Sequence, residues 1–203
     1  MTQKKIQTID GATLMSMPLE ELRFIVDSII PQGLHILSGQ PKSGKSWLLL
    51  SLCLNVTLGE KFWNFETEKG TVLYLCLEDS LNRIQSRLFD IAEEVPSNLY
   101  FATMVDSLSN GLLNQIEAFI KEKPDTVLIV IDTLQKVRDN VAECYERKSL
   151  IITTNLEFTK WNEIFYDEKI TAAIIDRIIH HSHLLDFTGR DSRRLMNSLI
   201  KLK

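Results

Sequence analysis

Eight consecutive residues, Gly39-Gln40-Pro41-Lys42-Ser43-Gly44-Lys45-Ser46, constrain this chain more than any others. They match the pattern G-x-x-x-x-G-K-[ST] at every fixed position, and each fixed position answers a need of a loop that wraps phosphate. Glycine at 39 and 44 permits the backbone conformations that turn successive N–H groups inward. A helix opening at Lys45 presents its positive dipole end to the same point. Lys45 brings a point charge for β- and γ-phosphate oxygens, and Ser46 brings a hydroxyl able to ligate Mg²⁺. The motif follows the apolar run Leu34-His35-Ile36-Leu37 and precedes a helical pattern that stops near Gly59. A strand before and a helix after is the context such a loop requires, so residues 39–46 are the expected nucleotide cradle.

The remaining chain alternates between short apolar runs and helical spacings, the pattern of βαβ units. Thr71–Leu77, Leu99–Ala102, Val127–Ile131, Ser149–Thr153 and Leu184–Phe187 read as strands. Leu81, Ile84, Leu88 and Ile91 keep helical spacing, as do Leu112, Leu113, Ile116, Phe119 and Ile120. Further helices are expected around Leu134 to Tyr145, around Trp161 and over Ile170–Ile179. Strands that are apolar at nearly every position are buried on both faces, as parallel sheets require. The expected fold is therefore α/β, a three-layer P-loop NTPase with a central, mostly parallel sheet of five or six strands. No linker or low-complexity stretch separates two cores, so residues 1–203 are expected to form one domain.

Composition bounds the partners. A net charge of −4 speaks against a globally basic nucleic-acid binder, although Arg190, Arg193, Arg194, Lys201 and Lys203 make a basic tail. The longest apolar run, Trp47–Leu58, is broken by Ser51 and Asn55 and is too short to cross a bilayer. No apolar stretch follows Met1 to Lys5, so no secretory signal is read. Cys53, Cys76 and Cys144 are scattered without metal spacing, as buried thiols of a reducing compartment would be. A cytoplasmic chain without a membrane partner is expected.

A carboxylate at the end of a neighbouring strand is needed to hold the metal, and Asp132, closing the run from Thr126, fits that place. Glu78 ends the strand that follows the P-loop helix and is placed to orient and deprotonate an attacking water. Asp79 is its rival, and both could instead serve as caps of the next helix, as could Ser80. Arg83 and Arg87 read as a solvated ion-pair face. Trp47 reads as core, and Trp63, in the loop from Glu60 to Lys69, as a contact for adenine or a partner. His180, His181 and His183 lack the Cys or carboxylate companions of a metal site. No N-K-x-D guanine signature is present, so ATP is the expected nucleotide.

Residues 9–138 resemble the RepA-like branch of RecA-fold ATPases. The likeness rests on Gly33-Leu34-His35-Ile36-Leu37-Ser38-Gly39, on Lys42 to Trp47, on Val72-Leu73-Tyr74-Leu75-Cys76-Leu77-Glu78-Asp79-Ser80 and on Val130-Ile131-Asp132-Thr133-Leu134. It implies ATP hydrolysis with Glu78 as the water activator, assembly into homo-oligomeric rings, and work on single-stranded DNA in replication or helicase-type processes. Residues 145–199 are instead similar to IstB-like transposition helper ATPases and helicase loaders, through Tyr145 to Leu156, Ala172 to His183 and Phe187-Thr188-Gly189. That likeness implies Asn155 as a γ-phosphate sensor, Arg177 as a sensor or inter-subunit arginine, and a transposase or replicative helicase as partner. Arg147, Arg177, Arg193 and Arg194 are the candidates for an arginine finger. The chain reads as a mosaic joined near residues 139–145, with the strand from Ser149 expected between the strands that precede Gly39 and end at Asp132.

Overall fold

A strand without a polar face must be covered twice, and this requirement organises the molecule. The computed structural model describes residues 8–18, 23–106, 111–134, 149–154 and 182–186. In chain order these carry α1 (Gly11–Ser16), β1 (Phe24–Val26), β2 (Ile30–Pro31), β3 (Leu34–Ser38), α2 (Lys45–Leu58), β4 (Thr71–Cys76) and α3 (Leu81–Ile91). They continue with β5 (Leu99–Ala102), α4 (Leu112–Glu122), β6 (Thr126–Asp132), β7 (Ser149–Thr154) and β8 (Ser182–Asp186). Six strands form one sheet in the order β5-β4-β6-β7-β3-β8, with every neighbouring pair parallel.

The two-residue strand period sorts the core into two faces. Leu37, Val72, Tyr74, Leu128, Val130 and Ile151 pack with Leu50, Cys53 and Val56 of α2 and Ile84 of α3. Their sequence neighbours Ile36, Leu73, Leu75, Ile129, Ile131, Leu150 and Ile152 point the other way, onto Leu112 and Ile116 of α4. The result is the three-layer α/β P-loop NTPase fold. Full burial of one such side chain contributes about 1.5–3 kcal/mol. Among the helices α2 supplies most of this drive, with Leu49, Leu50, Leu52, Cys53, Leu54 and Val56 buried, whereas α3 buries only Ile84.

β7 pairs in parallel with both β6 and β3, with Ser149 opposite Leu128 and Leu150 opposite Leu34. The slot expected for it is the slot it fills. Close approach at the start of β4 requires glycine: a Cβ on Gly70 would lie 2.5 Å from a Val127 methyl carbon and 2.7 Å from the Asp125 carbonyl oxygen.

Several boundaries differ from the sequence reading. β4 stops at Cys76, and the Leu77 N–H donates instead to the Asp132 carbonyl (2.8 Å). β8 begins at Ser182, not Leu184, because its ladder starts where β3 starts, with Leu34 opposite Ser182. Backbone pairing, not side-chain polarity, sets that limit. The sequence reading contained neither α1 nor the antiparallel pair β1–β2. α1 buries no residue, and its N-cap Asp10 accepts from the Thr13 N–H (2.9 Å). The pair anchors the Glu60–Lys69 loop, through Glu68 N–H to Ile25 O (2.9 Å) and Asp27 N–H to Glu66 O (2.9 Å).

Candidate functional site

Parallel strands bring their carboxyl ends to one edge, where open α/β sheets bind ligands. Ser38 at the end of β3 lies opposite Thr154 of β7, and Cys76 of β4 lies opposite Asp132 of β6. A cleft of about 700 Å³ opens at this edge, with Lys45, Ser46, Glu78, Asp79, Arg87 and Asp132 on its walls. Pro41, Lys42 and Gly44 of the loop also face it, whereas Gly39, Gln40 and Ser43 are not among the lining residues.

The loop turns through a Ser43 N–H to Gln40 O bond (3.3 Å) and enters α2 at Gly44, whose φ of 102° is open to glycine and strained for other residues. Lys45 is buried, with 5 % of its surface exposed. Its ammonium donates to the carbonyls of Gly39 (2.7 Å) and Gln40 (3.0 Å). Burial lowers the lysine's pKa, and the charges of Asp132 and Glu78 oppose that shift. Both carboxylates are thus within electrostatic reach of the ammonium. The Ser43 hydroxyl is buried with no hydrogen-bond partner among the described residues. Such a group costs about 1–3 kcal/mol, and a phosphate oxygen is an acceptor of the kind it lacks. The loop therefore fits a phosphate chain.

Asp132 is fixed by two hydroxyls. Tyr74 donates to its Oδ2 (2.8 Å) and Thr153 to its Oδ1 (2.6 Å), while the Thr133 hydroxyl donates to the Thr153 carbonyl (3.0 Å). Burial first, and then the charge of Asp132, push the Tyr74 phenol well above its ordinary pKa, so it stays a donor. Each carboxylate oxygen can accept further bonds. Among the described residues no group of three or more His, Cys, Asp or Glu side chains gathers to hold a metal. Mg²⁺ does not need one, because it binds through one or two protein oxygens together with substrate phosphates and water. Ser46 and Asp132 suit that donor set.

The two candidate bases differ. Glu78 is exposed on the turn after β4. Asp79 has both oxygens engaged, Oδ1 by Arg83 (2.8 Å) and Oδ2 by Arg87. Ser80 caps α3, accepting from the Arg83 N–H (3.4 Å).

Several expectations are corrected. Arg87 is not solvated, since its side chain is only 15 % exposed; Arg83 lines the same cleft but at 55 % keeps the surface character expected of both. Trp47 is not core. It is 36 % exposed beside the cleft, and the Arg87 guanidinium carbon lies 5.8 Å from its ring centroid. Trp63 stacks on Phe62 (4.6 Å between centroids) and is not among the cleft-lining residues. Cys53 and Cys76 are buried free thiols. Asn155, which directly follows β7, lies outside the described residues, as do Cys144, Arg147, Arg177, His180, His181, Arg193 and Arg194. Sequence reasoning missed Tyr74 and Thr153, hydroxyls on the two strands that flank β6.

Comparison with known proteins agrees with this architecture. The model of the AAA domain matches residues 2–155, and that of the IstB-like ATP binding proteins matches residues 132–200. The two-part likeness is borne out, and the matches overlap over 132–155, a stretch that holds Asp132 and β7. A Geobacillus stearothermophilus protein, named as an ATP-binding protein of insertion sequence IS5376, is 36% identical over 194 residues, 94% of this chain and 68% of that protein. A Sinorhizobium fredii insertion-sequence protein is 25% identical over 169 residues, 83% of this chain and 49% of its own length. One from insertion sequence IS232 of Bacillus thuringiensis is 29% identical over 111 residues, 48% of this chain and 44% of its own. The chain thus spans about half the length of these last two relatives. With the AAA-domain model matched over residues 2–155 and a 36% identical relative aligned along 94% of this chain and 68% of that relative, the chain belongs to the AAA-domain P-loop proteins, in the group named for the ATP-binding proteins of insertion sequences.

Proposed function

We propose that this chain binds ATP with Mg²⁺ and hydrolyses it in the service of a mobile DNA element. The observation that carries the reading is the meeting of Lys45, Ser46, Glu78 and Asp132 on the walls of one cleft. The loop N–H groups and Lys45 hold the β- and γ-phosphates. Mg²⁺, held by Ser46 and Asp132, supplies polarisation of the phosphate oxygens when bound. Glu78 orients the attacking water and takes its proton. Asn155, one residue beyond β7, is the proposed γ-phosphate sensor. The names of the relatives support both ATP and the insertion-sequence setting. A transposase partner, DNA of the element and a homo-oligomer are part of the same proposal. One sheet built from both parts of the mosaic supports reading residues 1–203 as a single domain. Among the described residues no helix is long and apolar enough to cross a membrane, and a cytoplasmic setting is proposed.

A second reading is an ATP-gated adaptor with little turnover of its own, and the IstB-like match over 132–200 favours it. Glu78→Gln separates the two. For an ATPase the variant keeps ATP affinity while turnover falls by about 10²- to 10⁴-fold. Unchanged turnover in the folded variant removes Glu78 from the mechanism. Negligible single-turnover hydrolysis in the unsubstituted chain, with ATP-dependent capture of a transposase, selects the adaptor.

A further inference from the structure

We infer that Asp79, Arg87 and Trp47 form a clasp that positions Glu78, tying the turn that carries it to the first turn of α2. The inference rests on the reading of Glu78 as the base and assigns its support. Glu78 is exposed on this turn, and the residues on either side of it are held. On one side the Leu77 N–H is bonded to the Asp132 carbonyl (2.8 Å). On the other, both oxygens of Asp79 are taken by guanidinium groups of α3. The two ion pairs are not equal. Arg83 is 55 % exposed and screened by water, whereas Asp79 and Arg87 are 13 % and 15 % exposed.

Arg87 also reaches past α3. Its guanidinium lies over the ring of Trp47, the residue directly after Ser46. A planar guanidinium can bind a carboxylate along its edge and stack on an indole with its face, which a lysine ammonium cannot do. The chain of contacts Glu78 turn, Asp79, Arg87, Trp47 and Ser46 therefore joins the proposed base to the proposed metal ligand around one cleft. Asp79 and Arg87 act as positioning residues, through Glu78.

The test uses the full chain. Asp79→Asn and Arg87→Ala are expected to lower kcat by about 10- to 100-fold, the scale of a misplaced reacting group, with the KM for ATP held within about twofold. Arg87→Lys is expected to rescue little, and Trp47→Phe to retain more activity than Trp47→Leu. In a Glu78→Gln background, Arg87→Ala should cost nothing further, because residues acting as a unit are not additive. An equal loss in both backgrounds, or unchanged kcat in folded Arg87→Ala, overturns the inference. A second readout does not depend on turnover. With Trp63 and Trp161 replaced by Phe, Trp47 is the one tryptophan left, and its emission should change alike in Asp79→Asn and Arg87→Ala. No change in Asp79→Asn overturns the clasp. Unchanged turnover in Glu78→Gln alongside a changed Trp47 emission instead defeats the assignment of the base and leaves the clasp standing.

Discussion

At the cleft, the neighbouring strands β4 and β6 both lead into carboxylates, and the fold treats the two ends in opposite ways. Asp132 is the last residue of β6, in register with Cys76, and hydroxyls from Tyr74 and Thr153 hold each of its oxygens inside the sheet. Glu78 stands two residues beyond the end of β4, exposed, with its backbone held by the residues on either side. A metal ligand works best when its oxygens cannot turn, because Mg²⁺ demands near-ideal octahedral geometry. A base must reach a water that arrives with the substrate. Under the proposed function, the same functional group is suited to two tasks by what surrounds it.

The largest expected break in this comparison comes from removing each carboxylate in turn. Asp132→Ala deprives two buried hydroxyls of their acceptor and should cost about 1–3 kcal/mol of stability, together with Mg²⁺-dependent ATP binding. Glu78→Ala should stay within about 0.5 kcal/mol, as surface substitutions do. Urea denaturation of the two variants measures the difference, and equal losses would erase the distinction between a fixed and a reaching acid. A finer cut leaves Asp132 in place and removes its holders. Tyr74→Phe and Thr153→Val should each weaken apparent Mg²⁺ affinity by about 10- to 100-fold, the usual cost of losing a group that orients a ligand. Titration of Mg²⁺ at fixed ATP reads that change, and an unaltered midpoint would mean that Asp132 needs no help to stay oriented.

The smallest effect concerns pH. Burial raises the Cys76 thiol from the ordinary 9.0 to about 11, and it pushes the Cys53 thiol and the Tyr74 phenol up as well. Between pH 9 and 11 the unfolded chain therefore holds fewer protons than the folded one, and stability falls as pH rises through that window. The Cys76 share of the loss is on the order of 2 kcal/mol, and Cys76→Ala should make the fall of the denaturation midpoint shallower over the same range, the remainder coming from Cys53 and Tyr74. An alkaline loss of the same slope in Cys76→Ala would place the sensitivity elsewhere.

Much of this was legible in the sequence where the cause is local. Gly39 to Ser46 announces its loop because every fixed position serves the backbone or the phosphates directly. The strands are legible because residues such as Leu128 to Ile131 are apolar on both faces, and Asp132 and Glu78 because they close such runs. α1 and the pair β1–β2 were not, since one buries nothing and the strands of the other, Phe24–Val26 and Ile30–Pro31, are too short to show a period. Arg87 looked like a surface residue of an amphipathic helix. Only the packing of α3 beside the start of α2 turns it toward Trp47, a distance that no spacing along the chain encodes. Tyr74 likewise looked like any strand aromatic until Asp132 came beside it in the adjacent strand.

Binding of ATP at the loop is the foundation for every other role given to these residues, and titration calorimetry with Mg²⁺ and ATP measures it directly. The chain should give a saturable heat of one-site binding that disappears in Lys45→Ala, with both proteins folded by circular dichroism. A folded, unsubstituted chain that gives no heat, or a Lys45→Ala chain that binds as well, would contradict the assignment of the cleft.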